Sequence, residues 1–126
     1  MDQSLTSRLS IIILCVVMII FGMYHFLYPK NLLVFVPSYI PGGILWVYVV
    51  GTAFILAAVS FLSHKMVRIT GYLLAIMLAL FVFTVHLPNY LYAGDKEMQQ
   101  MALISLLKDL ALSAFALHIA SNAKTV

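Results

Sequence analysis

Apolar residues run almost unbroken through four stretches of the chain. The first is Leu9 to Tyr28, "LSIIILCVVMIIFGMYHFLY". The second runs from Gly43 to Ser63, the third from Val67 to Leu87 and the fourth from Met101 to Ala120. Each has roughly the 20 apolar residues that a helix needs to cross the hydrocarbon core of a bilayer. In lipid the backbone must satisfy its own polar groups, so each stretch is predicted to be a helix. The first lacks a small-residue cleavage site and its apolar run is too long for a signal peptide, so it is expected to stay in the mature protein.

The polar punctuation sets the connections. Between the second and third stretches stand only "HKM", which predicts a tight antiparallel hairpin. Between the third and fourth stands "PNYLYAGDKEMQQ", with Gly94 as a turn and Asp95 and Glu97 ahead of the next helix, where acidic residues suit a helix N-terminus. Residues 29–42, "PKNLLVFVPSYIPG", are too apolar for a free loop and too short to span. Punctuated by Pro29, Pro37 and Pro41, they are expected to lie in the membrane interface or fold back over the bundle. Short connections imply an up-down four-helix bundle. Gly51, Ala57, Ala58, Ser60, Gly71 and Ala75 are small enough to let its helices approach closely.

Composition agrees with this reading. Of the 126 residues, 64% are hydrophobic and 9% charged, against about 25% charged in a soluble domain. The chain is expected to be one all-α integral membrane domain. Arg8, Lys65, Arg68 and Lys124 fall on the side of the termini, and Lys30 and Lys96 on the other. That balance places both termini in the cytoplasm. No basic patch is dense enough for nucleic acid. The single cysteine, Cys15, excludes intramolecular disulfides and reads as packing.

Candidate chemistry lies in the polar residues that interrupt the apolar stretches. Lys108 and Asp109 stand side by side in "LLKDLALSAFALH". A charge near the middle of a span costs about 2.5–3.5 kcal/mol on insertion scales, so it must face the interior, pair, or reach the interface. Neighbours on an α-helix point about 100° apart, so these two do not pair with each other. Lys108 has the length to snorkel; Asp109 does not, and needs a partner on another helix. His25, His86 and Asn89 lie at similar depth on the other stretches. His25, His86, Asn89, Lys108 and Asp109 are therefore expected to converge in the outer half of the bundle. Such a group could bind a quinone head group, with His or Lys donating to its carbonyls and a His–Asp pair handling protons. The same residues could equally fix helix packing and register alone. No phosphate loop, nucleophile motif, or haem or zinc spacing is present, and no metal site is expected. His64, His118 and the scattered methionines carry no motif.

Four strings together resemble the DoxX-like membrane proteins: "FGMYHFLYPKNLLVFVPSYIPG", "WVYVVGTAFILAAVSFL", "VHLPNYLYA" and "LLKDLALSAFAL". His25, Phe26 and Pro29 look like the family's "HF…P", and Pro37 and Pro41 like its paired prolines. Gly51 looks like its helix-two glycine, Asn89 like its third-helix asparagine, and Lys108 to Leu112 like its "lKdlal". The likeness runs from about Gly22 to Leu117. There is one departure: many members carry an acid three residues after the helix-two glycine, where this chain has Phe54. The resemblance implies a four-helix protein of the bacterial inner membrane. It further implies a subunit of a quinone-linked redox or oxidative-stress assembly, with quinone as ligand and a membrane or soluble redox protein as partner. With no cofactor motif in its sequence, the chain is not expected to have independent catalytic activity. The alternative is a membrane scaffold or assembly factor, or a homo-oligomer, whose first connection meets its partner through Pro37, Tyr39 and Trp46. A permease is disfavoured, because four short helices leave little room for alternating access.

Overall fold

The computed structural model describes residues 3–124, and these are helical almost throughout. Helix α1 spans Gln3–Leu27, a short α2 Pro29–Leu33, and α3 Ile44–Ser63. The third span is broken into α4 (Val67–Phe81), a π-helical turn (Val82–His86) and α5 (Leu87–Tyr92), and α6 runs Lys96–Ser121. Four helices are long and apolar enough to cross a membrane: Leu5–Leu27, Ile44–Ser63, Val67–Tyr92 and Lys96–Ser121. Only 22% to 33% of the most apolar window of each is buried within the protein. The remainder is an apolar outer surface, as suits a multi-pass membrane protein whose solvent is lipid. No strand occurs among the described residues.

The helix limits differ from the sequence expectation at four places. Helix α1 begins at Gln3, not Leu9, because the helix runs on through the polar residues that precede the apolar stretch. The other three differences have local reasons. Residues 29–42 are not one irregular loop: Pro29 opens the turn α2, and Tyr28 before it leaves the helical region at φ −130°. The third span does not stop at Leu87. The π turn ends the α4 register, helix resumes at Leu87, and Pro88 falls in the first turn of α5, where its missing N–H is tolerated. The fourth helix starts at Lys96, not Met101, because the Asp95 side chain caps it by accepting from Glu97 N–H at 2.8 Å. The long polar connection expected here shrinks to Ala93–Asp95.

The hairpin after α3 is as tight as predicted. His64 and Met66 both adopt left-handed backbone, at φ 59° and 56°. Ser60 Oγ holds the turn by donating to Lys65 O at 2.6 Å, and it shares a hydrogen bond with Thr70 Oγ1 at 2.9 Å. At the same end of the bundle, Arg68 donates to Ala123 O at 2.7 Å and ties the start of α4 to the residues just after α6.

Packing is pairwise. Helix α1 lies closest to α3, and the third span lies closest to α6. Glycine makes each approach possible. A Cβ on Gly22 would stand 2.9 Å from Gly51 O, and a Cβ on Gly51 would stand 2.7 Å from the His25 Cβ. A Cβ on Gly71 would stand 2.8 Å from the Ala120 Cβ and 3.0 Å from Ala116 O. One side chain in each pair then bonds to the facing backbone. Cys15 Sγ donates to Ala58 O at 3.7 Å, and Ser113 Oγ donates to Ala75 O at 2.9 Å. The two pairs share one core, built from Cys15 and Met18 of α1, Ala58 and Phe61 of α3, Ala75 and Leu78 of α4, and Ala116 and Ile119 of α6.

Replacing Gly51 or Gly71 by Val should therefore push a helix pair apart. Each change is expected to cost about 1–3 kcal/mol, as overpacking does elsewhere. Reversible unfolding in detergent, read by circular dichroism, measures it. The exposed Gly94, beside which an added Cβ meets no atom within 4 Å, should tolerate Ala with little change.

Candidate functional site

The site is built on the third span at the end of the bundle away from the termini. His86 closes the π turn, four residues after the buried Val82. Leu87 N–H completes that wide turn by bonding to Val82 O. Single π turns inside α-helices recur at functional positions. From here His86 reaches across to α6: its Nε2 lies 2.8 Å from Asp109 Oδ2. Both side chains are largely covered, at 12% and 18% exposure. An ionised carboxylate only accepts, so the proton of this bond sits on Nε2. The other ring nitrogen, Nδ1, is buried and has no hydrogen-bond partner among the described residues. A buried polar atom left unpaired costs free energy in any protein, and more in one with no water around it.

Two residues beyond His86, Pro88 cannot donate to Thr84 O, the acceptor its N–H would serve in an α-helix. That carbonyl is taken by Tyr39 Oη at 3.0 Å. The first connection is thus strapped onto the third span. Under the strap lies a cavity of about 310 Å³, walled by Val34 and Phe35 of the connection, Pro88 and Asn89 of α5, and Met98 and Met101 of α6. Its lining is mainly apolar, and Asn89 brings the side-chain amide. Asn89 follows His86 by three residues, so the two occupy neighbouring places on one helix face. His86 and Asp109 are not in the cavity wall; His86 lies about one turn deeper than Asn89, and Asp109 about two turns deeper than Met101.

The expected convergence of five polar residues is only partly met. His86, Asn89 and Asp109 come to one end of the third-span pair. His25 belongs to the other pair: its Nδ1 contacts Phe21 O of its own helix at 2.5 Å, and its ring lies 5.7 Å from that of Phe54. No element of the third span packs closely on α1. Lys108 points outward, exposed, with no hydrogen bond or ion pair among the described residues. Facing away from Asp109 on its helix, it cannot share the site. Phe54, standing where an acid was expected from the resemblance, is buried between the rings of Phe21 and His25. Of the residues expected to meet a partner, Tyr39 holds the strap, and Trp46 Nε1 donates to Pro41 O at 2.6 Å. Pro37 O accepts from Ile40 N–H at 3.1 Å within the same connection. The residue that sequence reasoning placed only as a partner contact, Tyr39, is the one that ties the first connection to the third span. The signal was available: a proline inside a helix frees a carbonyl that something must satisfy.

A family model described as a domain of unknown function, DUF8561, matches residues 14–120. The chain belongs to the DUF8561 family. The matched region of this DUF8561 protein runs from Leu14 in α1 to Ala120 in α6, so it takes in the strap, the cavity and the His86–Asp109 pair. No curated protein matches the chain. No solved structure matches it.

Two outcomes follow. Asp109→Ala strands both imidazole nitrogens and is expected to destabilise the DUF8561 bundle by about 1–2 kcal/mol, the scale of a polar contact between membrane helices. Within one copy Lys108 has no partner among the described residues, so in dilute detergent, where copies separate, Lys108→Met should shift stability by less than about 0.5 kcal/mol; unfolding midpoints compare the two. Tyr39→Phe should cost about 1 kcal/mol, and less in a Pro88→Ala background, where residue 88 regains the N–H that serves Thr84 O. A double-mutant cycle on the same assay reads that coupling.

Proposed function

We propose that this chain is a DoxX-like subunit that holds a quinone-class head group at the strapped end of its third-span pair. The observation that carries the reading is the buried, unpartnered His86 Nδ1. With Nε2 engaged by Asp109, Nδ1 is the imidazole atom left to a ligand. As a bare nitrogen it accepts from a quinol hydroxyl, and with a proton it donates to a quinone carbonyl. Asn89 adds an amide at the mouth, and the apolar cavity beneath Val34 and Phe35 suits a ring with a lipid tail. The head group passes one turn below the cavity to meet His86. The chain offers no electron carrier of its own, so electrons come from a partner protein in the assembly. The resemblance of the helix-one exit and the "LLKDLAL" string to DoxX-like proteins supports the same reading. On this reading the protein sits in the bacterial inner membrane, with both termini in the cytoplasm as the balance of basic residues favours.

A scaffold reading keeps one specific observation: a lysine exposed on the outer face of α6. On that reading, His86 and Asp109 serve packing alone.

The experiment is binding of a short-chain benzoquinol and its quinone to the protein in lipid nanodiscs, followed by calorimetry. His86→Leu and Asn89→Leu are expected to weaken binding by about tenfold or more, the cost of losing a buried polar contact. His25→Ala, on the other helix pair, should leave it unchanged. Equal binding by wild type and His86→Leu would refute the pocket.

A further inference from the structure

We propose that the DUF8561 chain forms a parallel two-fold dimer through α6, in which Lys108 of one copy pairs with Asp109 of the second. This inference stands on Lys108 and is independent of the quinone reading.

Lys108 sits near the middle of α6 (Lys96–Ser121), exposed among the exposed Ile104, Leu107 and Ala111. In lipid an ammonium among these side chains needs an anion. Within the chain the choice is narrow. There are four acidic residues, and Asp109 alone lies inside an apolar stretch. Its Oδ2 faces His86, while the side chain keeps 18% exposure. Lys108 cannot reach it in the same copy, because the two point about 100° apart around the helix. A second copy removes that obstacle. Copies inserted in the same orientation hold each residue at the same depth, and Lys108 and Asp109 differ in height by only about 1.5 Å.

The helix wheel supplies the rest of the geometry. Met101, Ser105 and Leu112 form a stripe that lies between Lys108 and Asp109. Met101 is exposed, and Ser105 and Leu112 are half-buried. When two parallel α6 helices meet across this stripe under two-fold symmetry, the lysine flank of one faces the aspartate flank of the other. The pairing is reciprocal, giving two ion pairs, as flanking charges do in parallel coiled coils. Helix α6 is free to accept a neighbour, since within the chain its backbone packs closely only on the third span. Ser105 at the crossing is small enough for close approach.

The test is disulfide trapping in native membranes, in a Cys15→Ser background that keeps the hydrogen bond to Ala58 O. Ser105→Cys is expected to give an oxidised dimer, and Leu117→Cys, about 120° round α6 from it, none. Lys108→Gln and Lys108→Asp should reduce trapping at position 105 by about tenfold, the scale of one polar contact between membrane helices, and Lys108→Arg should restore it. Helical content of each variant by circular dichroism separates lost pairing from lost fold. Trapping at position 105 that is unchanged in the well-folded Lys108→Gln variant overturns the proposal. So does a monomer with no trapping at 105, in which case the lysine reaches lipid phosphate, or trapping of 105 to a different protein.

Discussion

A polar group inside a bilayer has no water to turn to, and the irregular features of this structure follow from that one constraint. Pro88 withholds an N–H, so the Thr84 carbonyl takes Tyr39 instead. Asp109 is too short to reach the interface, so it takes His86. Ser113 and Cys15, polar or polarisable side chains in the core, each find a carbonyl on the facing helix. Every one of these bonds joins segments that are distant in sequence. Polar atoms that would be harmless decoration in a soluble protein here act as the ties of the fold.

Those ties can form because the helices come close. Between lipid-facing helices there is no hydrophobic driving force beyond what lipid itself offers, so contact area and hydrogen bonds decide the packing. Gly22 against Gly51, and Gly71 against Ala116 and Ala120, bring backbones near enough for a serine or a cysteine to reach across. The two pairs differ at the end away from the termini. The α1–α3 pair closes on aromatic rings, Phe21, His25 and Phe54. The third span and α6 instead carry a wide π turn, an ionisable pair and a strapped cavity. That asymmetry confines the candidate chemistry to one pair.

The sequence made the four spans, the tight hairpin and the fold class legible, because apolar length and short polar breaks report directly on membrane crossing. It also made Asp109's need for a partner legible, since a short carboxylate in a span must be met. The choice between His25 and His86 was not legible. Depth along a helix can be read from residue number, but which helices pair cannot, and His25 proved to lie in the wrong pair. The helix beyond Leu87 was hidden by Pro88, because proline after a π turn starts a segment instead of ending one. Phe54 and Tyr39 show the same limit: each is an ordinary aromatic in sequence, and only the packing gives one a core role and the other a strap.

The account rests on His86 being held through Nε2, with Nδ1 left for a ligand. Nitrogen-15 NMR of histidine-labelled protein in bilayers tests this directly. The predicted spectrum has the His86 proton on Nε2, hydrogen-bonded to a carboxylate and released from it in Asp109→Ala, with an Nδ1 resonance that moves when a short-chain quinol is added. A proton on Nδ1 with a bare Nε2, or an imidazole indifferent to Asp109→Ala, would contradict it.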